Sequence, residues 1–534
     1  MLLIMEEQND DHASQEELEH KILLRDKEIA RLKETQANYE AKINELEQEI
    51  ANVNAKMQQL LHERYGRKSE KIPDEILPEL DEAVVTPEEA AVITEAEQAI
   101  SVAAHIREKP KRKPIPPEFE RETIIHDLPQ ELQLCNCGGK LHCIGEDMHE
   151  QLDYVPAKIK AILHIRKKYG CRDCETGITM APAPKDFIPK SLAAPGILAH
   201  VILSKYEDHM PLYRQEKIWQ RIGIDIARST LCNWVLLAAP GVQVLVDLLR
   251  EELLKLNYAR ADETPVQVMI DNKVRTSKRA YMWVFASGRK DKAIFVYKFA
   301  MTRAGSVAQE FFEGFAGFLQ TDGFTGYNKL CAQEDMTRVG CMTHARRKFA
   351  AIVKTTKKTG AAHYAVAIIG KLYRIEDEIK IQNLNFDGIR NYRQQHAKPI
   401  LIEFKTWLAQ KQKQAPPQST LGKAIYYFVE HWDELNVYLE YGFLDIDNNF
   451  TEQHVKPFTI GRKNWLFMGN ERGGEAAATF FSLIESAKAN GLNTYAYFRC
   501  IMTELPLIEP ADKKSLLALL PHRLDPEILQ KYLN

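Results

Sequence analysis

The sequence predicts a multidomain α+β protein in which an N-terminal coiled coil, a zinc-ribbon-like module and a helix-turn-helix region precede an α/β core interrupted by helices. Three observations carry that prediction. A length of 534 residues is too great for one domain and suits three to five, at roughly 100–200 residues each. An apolar share of 45% and a charged share of 27% are those of a chain that buries ordinary cores. The patterns also come in blocks, with heptads first, cysteine knuckles next, then helices, β-rich runs and helices again.

The totals exclude several classes. Lys+Arg number 71 against Asp+Glu 74, a formal net charge of -3, so any nucleic-acid contact must come from local patches. Of 9 cysteines, five lie between Cys135 and Cys174, which points to a metal module in a reducing compartment rather than a secreted disulfide framework. The first ten residues lack a signal core. The best apolar stretch, Leu231 to Leu249, is broken by Asn233, Pro240, Gly241, Gln243 and Asp247. A soluble, cytoplasmic protein with no membrane partner is expected.

Residues 15–63 read as the coiled coil. Ile22, Ile29, Ile43, Ile50 and Met57 share one heptad phase and Leu18, Leu32, Tyr39, Leu46, Val53 and Leu60 the other, interrupted only at Arg25 and Gln36. Ile in the first phase with Leu in the second favours a parallel pair, so a homodimer or larger assembly is expected. Residues 64–125 are a linker with basic patches at Arg64–Lys71 and Arg107–Lys113, which serve either as solvated chain or as phosphate contacts. Within it one short helix is expected near Glu88 to Val102.

Residues 126–180 form the zinc-ribbon-like, DNA-binding module. Cys171 and Cys174 have CxxC spacing, and Cys135 with Cys137 makes a tighter knuckle in which His142 or Cys143 could substitute. Four soft ligands from two turns, with strand-like Glu150–Tyr154 and Ala161–Tyr169 between them, suit Zn²⁺. Residues 190–250 are helical, and Ile218, Ile222, Ile226, Leu231 and Trp234 around a turn at Gly223 give helix-turn-helix spacing. Asp225 or Ser229 would start the second helix, which would present Arg228, Thr230 and Asn233 to DNA.

Residues 255–343 hold a three-strand meander, a helix near Ser306–Phe315 and a fourth strand. Residues 344–440 are amphipathic helices with a break at Ala415–Ser419, residues 441–500 are a last helical block, and 501–534 a C-terminal tail. Asp262 falls at the end of the first strand candidate and Asp322 at the end of the fourth. Neighbouring strands would bring the two carboxylates together, and Glu452, near a helix start, is the third candidate. Three such acids suit a pair of hard divalent cations gripping a phosphodiester. Taken singly each has a plainer reading: Asp322-Gly323 is a turn dipeptide, Asn449-x-x-Glu452 a helix cap, and Asp262 a solvated strand end. Two clusters favour the joint reading: His344, Arg346, Arg347 and Lys348, and then Lys456, Arg462 and Lys463 with Trp465, which would hold a DNA backbone and stack a base.

These segments, in order, resemble a known family. RYGRKSEK, CNCGG, EQLDYVPAKIK, CRDC, KYEDHMPLYRQEKIWQRIG, ADETPV, TDGFTGYN, THARRKF, DNNFTEQHVKP and IGRKNWLFMGNERGGEAAATFFSLIESAKANG are similar, nearly end to end, to the insertion-sequence-sixty-six family of bacterial DDE transposases. The resemblance implies a ribonuclease-H-like catalytic core with a helical insertion before the third acid, and metal-dependent cleavage and joining of DNA. Asp262, Asp322 and Glu452 would be the catalytic, Mg²⁺- or Mn²⁺-binding triad, and Cys135, Cys137, Cys171 and Cys174 the Zn²⁺ ligands. Implied partners are double-stranded DNA at the element's terminal repeats and target, and small accessory proteins, in the bacterial cytoplasm at the nucleoid. The chain departs from the family at the narrow first knuckle and at Gln453, where Arg usually follows the glutamate. Glu485 is a second helical acid that could be mistaken for the third ligand.

Overall fold

The structure, a computed structural model, describes residues 159–170, 178–271, 276–288, 290–355 and 359–533, with helical positions within 25–57 and 89–95. The chain divides into two compact units, one of residues 1–98 with 185–534 and the other of residues 99–184.

In the unit of residues 99–184, β1 (Lys168–Gly170) pairs antiparallel with β2 (Ile178–Met180), Lys168 lying opposite Met180. These strands bracket Cys171 and Cys174 in sequence. The four cysteines, His142 and Cys143 lie outside the described residues, as do Glu150–Tyr154 and the two basic patches. The strand expected over Ala161–Tyr169 begins only at Lys168; residues 161–167 are exposed and meet the segment after β2 through Ala181, whose N–H donates to the Lys167 carbonyl at 3.1 Å and whose carbonyl accepts from Arg166 at 2.8 Å.

The larger unit opens its main body with α1 (Pro195–Tyr206), α2 (Leu212–Arg221) and α3 (Arg228–Leu254). Helix α1 starts on Pro195, whose fixed φ and missing N–H suit the first turn. The turn from α2 to α3 needs Gly223, at φ 83°. Of the apolar rhythm expected there, Ile226, Leu231 and Trp234 are buried, whereas Ile218 is half-buried and Ile222 exposed, with Trp219 buried in their place. Neither Asp225 nor Ser229 starts α3. Glu216 reaches over from α2, and its Oε1 accepts the Arg228 N–H at 2.7 Å. Helix α3 then continues through Pro240 for 27 residues. Among the described residues it is the one helix long and apolar enough to cross a membrane, and half of that window is buried inside the protein.

Five strands follow in the spatial order β5-β4-β3-β6-β7. They are β3 (Tyr258–Asp271), β4 (Thr276–Ser287), β5 (Phe295–Ala300), β6 (Gly317–Gln320) and β7 (Met336–Val339), with α4 (Ser306–Phe311) and α5 (Asn328–Cys331) in the connections. β3, β4 and β5 are antiparallel, and β6 and β7 join parallel to β3. Ala280–Ser287 is buried at nearly every position, as for a strand covered on both faces. The edge strand β5 is protected by its neighbour helix α12 (Glu471–Ala489): Ser486 Oγ accepts the Phe295 N–H at 2.9 Å and Ser482 Oγ that of Tyr297 at 2.8 Å.

Between β7 and the last block stands a helical insertion with its own core. It comprises α6 (Met342–Thr355), α7 (Ala361–Gln382), α8 (Phe386–Gln414), α9 (Thr420–Glu430) and α10 (Trp432–Asn436), packed around Phe349, Ile369, Leu401, Phe404 and Phe428. A buried ion pair, Arg393 with Glu376 at 2.7 and 2.8 Å, ties α8 to α7. The chain returns through α11 (Asn449–Trp465), α12, α13 (Thr494–Glu504) and α14 (Lys513–Ala518). The C-terminal stretch is no loose tail. Leu516 and Leu520 are buried in the main core, and Arg499 donates to the Tyr532 carbonyl at 2.9 Å.

Candidate active site

Asp262 lies inside β3, opposite Val284, rather than at the end expected for it. β4 keeps the strand paired well beyond the acid, through Asp271. On its other side β6 pairs only with Tyr258 to Arg260, and well beyond the acid Met468 bridges that edge, donating to the Gln267 carbonyl at 2.8 Å and accepting the Met269 N–H at 2.9 Å. Gln320 of β6 is level with Arg260, and Asp322 follows in the turn two residues on, close enough for its charge to act on Asp262. Gly323 follows where a Cβ would meet the Tyr427 ring at 2.4 Å, so glycine is required for this approach. The Asp322 Oδ1 accepts the Phe324 N–H at 3.0 Å, and the Arg338 guanidinium holds the Asp322 and Phe324 carbonyls, fixing the turn.

Glu452 comes from the first turn of α11. It does not act as the capping glutamate that Asn449-x-x-Glu452 allowed, because the N-cap is Asn448 and no side-chain cap forms. Instead, Arg347 donates to Glu452 Oε2 at 3.0 Å, and His344 Nδ1 stands 3.4 Å from Oε1. Both of these α6 residues, read in sequence as phosphate contacts, therefore face an acid. Oε1 is buried with no hydrogen-bond partner among the described residues.

The segment before α11 is bound to β3. Asn448, fully buried, donates through Nδ2 to the Ala261 carbonyl at 3.0 Å, one residue from Asp262. The Arg260 guanidinium, also fully buried, reaches Asp445 Oδ2 at 2.5 Å and the Asp447 carbonyl at 3.2 Å. The Asp447 carboxylate accepts from Thr343 at 3.1 Å, Tyr373 at 2.9 Å, and Asn449 through N at 3.0 Å and Nδ2 at 2.7 Å. Sequence reasoning missed all of these contacts, although the DNN that stands before Glu452 is the signal that could have found them.

Burial and then the carboxylates of Glu263, Glu452 and Asp322 hold the Asp262 carboxyl well above its ordinary range. Glu263 is itself raised, by burial first, while Tyr327 donates to it at 2.7 Å and Arg303 at 2.5 Å. His344 is held below its usual value by burial, against the pull of Glu452 and Asp322. Lys348 lies 4.2 Å above the Tyr427 ring, and burial lowers its pKa while Asp322 raises it. A buried Asp262 whose ionisation is penalised by neighbouring carboxylates, with an unpartnered oxygen on Glu452, fits a hard divalent cation. Donor atoms of Cys341, His344 and Glu452 also lie within 4.8 Å of one another. Burial pushes the Cys341 thiol up to about 12, and its Sγ accepts the Asn448 N–H at 3.2 Å, so at neutral pH it is a thiol packed in the core rather than a thiolate ligand.

Other candidates sit apart from the acids or differ in exposure. Glu485 is buried in α12 with Lys488 at 3.2 Å, and its charge acts on Tyr297 rather than on Asp262. Arg462 binds Thr264 and the Pro265 carbonyl on β3. Trp465 is half-buried with its ring 5.5 Å from Phe458, whereas Lys456 and Lys463 are exposed. Arg346 is half-buried on α6. At the start of α3, Arg228 and Asn233 are exposed and Thr230 half-exposed.

Comparison with known proteins agrees with this layout. Residues 190–476 match the family model described as "Transposase IS66 family". Residues 133–175 match "zinc-finger binding domain of transposase IS66", 482–522 "IS66 C-terminal element", and 52–124 "Transposase C of IS166 homeodomain". Among curated relatives from Sinorhizobium fredii, y4jD is 34% identical over 73% of this chain and 78% of its own length. A second, y4qI, is 30% identical over 94% of this chain and 93% of its own length; both are described as uncharacterized proteins.

Proposed function

The chain belongs to the transposase IS66 family, and on that premise we propose that it cuts and joins the ends of an insertion sequence through Asp262, Asp322 and Glu452. The observation that carries this reading is the convergence on Asp262 of acids 60 and 190 residues away in sequence, Asp322 and Glu452, whose charges add to burial and Glu263 in raising its pKa. Three antiparallel strands continued by two parallel ones, with the acids on β3, after β6 and on a helix beyond an insertion, support a ribonuclease-H-like core.

The three carboxylates would hold Mg²⁺ or Mn²⁺, which when bound supplies Lewis acidity at the phosphate and stabilises the leaving oxygen. The chain's own part is positioning. β3 and the turn after β6 would set two acids near each other, and the Asn448 and Arg260 contacts would bring the third toward them. In cleavage, a water oxygen bonds to phosphorus, the P–O3′ bond breaks and the strand leaves with a 3′-hydroxyl. In joining, that 3′-oxygen bonds to a target phosphorus, a target 3′-oxygen leaves with a proton, and the number of phosphodiester bonds is unchanged. Lys348, whose pKa burial lowers and Asp322 raises, and Arg346, Lys456 and Lys463 on α6 and α11 would supply the cations that an approaching phosphate needs. Arg347 and His344 restrain Glu452, and Arg462 holds α11 to β3.

Outside the catalytic core, Cys135, Cys137, Cys171 and Cys174 would hold Zn²⁺, and this module with Arg228, Thr230 and Asn233 would read the terminal repeats. The paired coil would bring two protomers together in the bacterial cytoplasm. The test is cleavage and strand transfer on the element's end DNA with Mg²⁺ or Mn²⁺, comparing the natural chain with Glu452→Gln. Joined product from the natural chain alone is the expected result. Cutting without joining would reduce the chain to a nuclease, and binding without cutting would make it a DNA-binding regulator.

A further inference from the structure

Glu89 belongs to an acidic stretch that composition assigns to a linker, yet it is only 5% exposed. Its Oε1 accepts the Trp407 indole N–H at 2.6 Å and pairs with Lys411 Nζ at 2.9 Å. Four residues on, Ile93 is 4% exposed, and Val92 packs against the core of the insertion. Glu95 reaches Lys371 Nζ at 2.5 Å. Lys371 lies on α7 and Trp407 and Lys411 on α8, with the Tyr364 ring of α7 4.8 Å from Trp407. The described positions among residues 89–95 are helical and bridge the two long helices of the insertion. A buried carboxylate costs several kcal/mol unless it is paired and hydrogen-bonded, so the indole and the ammonium define a seat that selects an acid at this position.

We propose that Tyr364, Lys371, Trp407 and Lys411 form a docking seat for the acidic segment 89–95, and that this seat ties the N-terminal arm to the catalytic unit. The tethering role rests on the reading that the arms pair two transposase protomers. Between Met57, the last described seam residue, and Glu89 there are 32 chain steps, against 128 between Met57 and Lys185, where the catalytic unit resumes. At about 3.5 Å per residue the seat limits the tether to roughly 110 Å, whereas without it the whole unit of residues 99–184 also stands in sequence between the arm and the rest of the catalytic unit. A shorter tether raises the effective concentration of one catalytic unit near the other, which joining two element ends requires and cutting one end does not.

Hydrogen exchange on the full chain tests the seat without DNA, using Ile93→Asp, which places a charge in the apolar contact, and Trp407→Phe, which keeps a ring and removes the indole donor. Amides of residues 91–95 should exchange at least tenfold more slowly than in an unstructured chain. That protection should vanish in Ile93→Asp and fall severalfold in Trp407→Phe, with β3 and β4 protection unchanged as the folding control. Unprotected amides in the natural chain, or undiminished protection in Ile93→Asp, would overturn the seat. On end DNA, Ile93→Asp should keep single-end cleavage and lose about tenfold in paired-end joining; unchanged joining would overturn the tether. A natural chain that cut no DNA would count against the transposase reading alone, since exchange decides the seat independently.

Discussion

Asp262 concentrates the electrostatic cost of the site. Burial and the carboxylates of Glu263, Glu452 and Asp322 raise its pKa in the folded protein, so the native state holds that proton more tightly than the unfolded chain does. Its contribution to stability is therefore greatest below the ordinary carboxylate range and is lost as pH rises from there through the raised folded value. Asp262→Asn should raise the melting temperature by a few degrees at pH 8 and abolish cleavage, by calorimetry and a gel assay, whereas a lowered melting temperature would make Asp262 structural. Mg²⁺ or Mn²⁺ should stabilise the natural chain at pH 8, do so less at pH 5, and lose most of the effect in Asp262→Asn. The acids were legible because ADET, TDG and DNNFTE are short polar interruptions at the ends of apolar runs. The partners of Glu452 were not, because a basic cluster reads the same in sequence whether it faces phosphate or a carboxylate of its own chain. Arg347 and His344 do the latter, at 3.0 and 3.4 Å.

At the scale of elements, the start of α11 decides whether the third acid meets the first two. Asp447 accepts four hydrogen bonds there, two from Asn449 and one each from Thr343 and Tyr373. Asp447→Ala would strand buried donors on α6 and α7, and should cost about 2–4 kcal/mol in urea unfolding. Asn448→Ala removes the link to the Ala261 carbonyl and should cost about 1–2 kcal/mol. It should weaken Mn²⁺ binding, followed by electron paramagnetic resonance, more than a stability loss of that size would at temperatures well below melting. Unaltered Mn²⁺ affinity would limit Asn448 to a packing role. The helices of the insertion, the break at Ala415–Ser419 and the helical start near Glu452 were readable from periodicity and punctuation. The length of β3 was not, since the polar Asp262 and Glu263 look like a strand end, whereas β4 pairs on through Asp271. Pro240, one of the residues that interrupt the apolar stretch in sequence, does not end the helix, and α3 runs through it.

Across the whole molecule, two hydrophobic cores serve different ends, one joining the sheet to α1, α3, α12 and α13, the other confined largely to the insertion. The N-terminal arm has neither. Its described seam residues, Ile29, Leu32, Tyr39, Ile43, Leu46, Ile50, Val53 and Met57, are all exposed. A helix bearing such a stripe is marginal alone, because propensity seldom offsets the entropy of ordering without an apolar face to bury. The heptad spacing matches a second copy of the same stripe, and at ~1.5–3 kcal/mol for each fully buried aliphatic side chain even a few pairs outweigh the cost of association. Ile43→Asp with Leu46→Asp should therefore yield a monomer in analytical ultracentrifugation and lower the far-ultraviolet helical signal. The main melting transition should stay in place, because neither hydrophobic core contains any of the described residues of the arm's seam. Cleavage of single ends should persist, since Asp262, Asp322 and Glu452 all come from one chain, while joined paired-end product should disappear. A dimer that survived both charges would move the pairing surface elsewhere on the molecule.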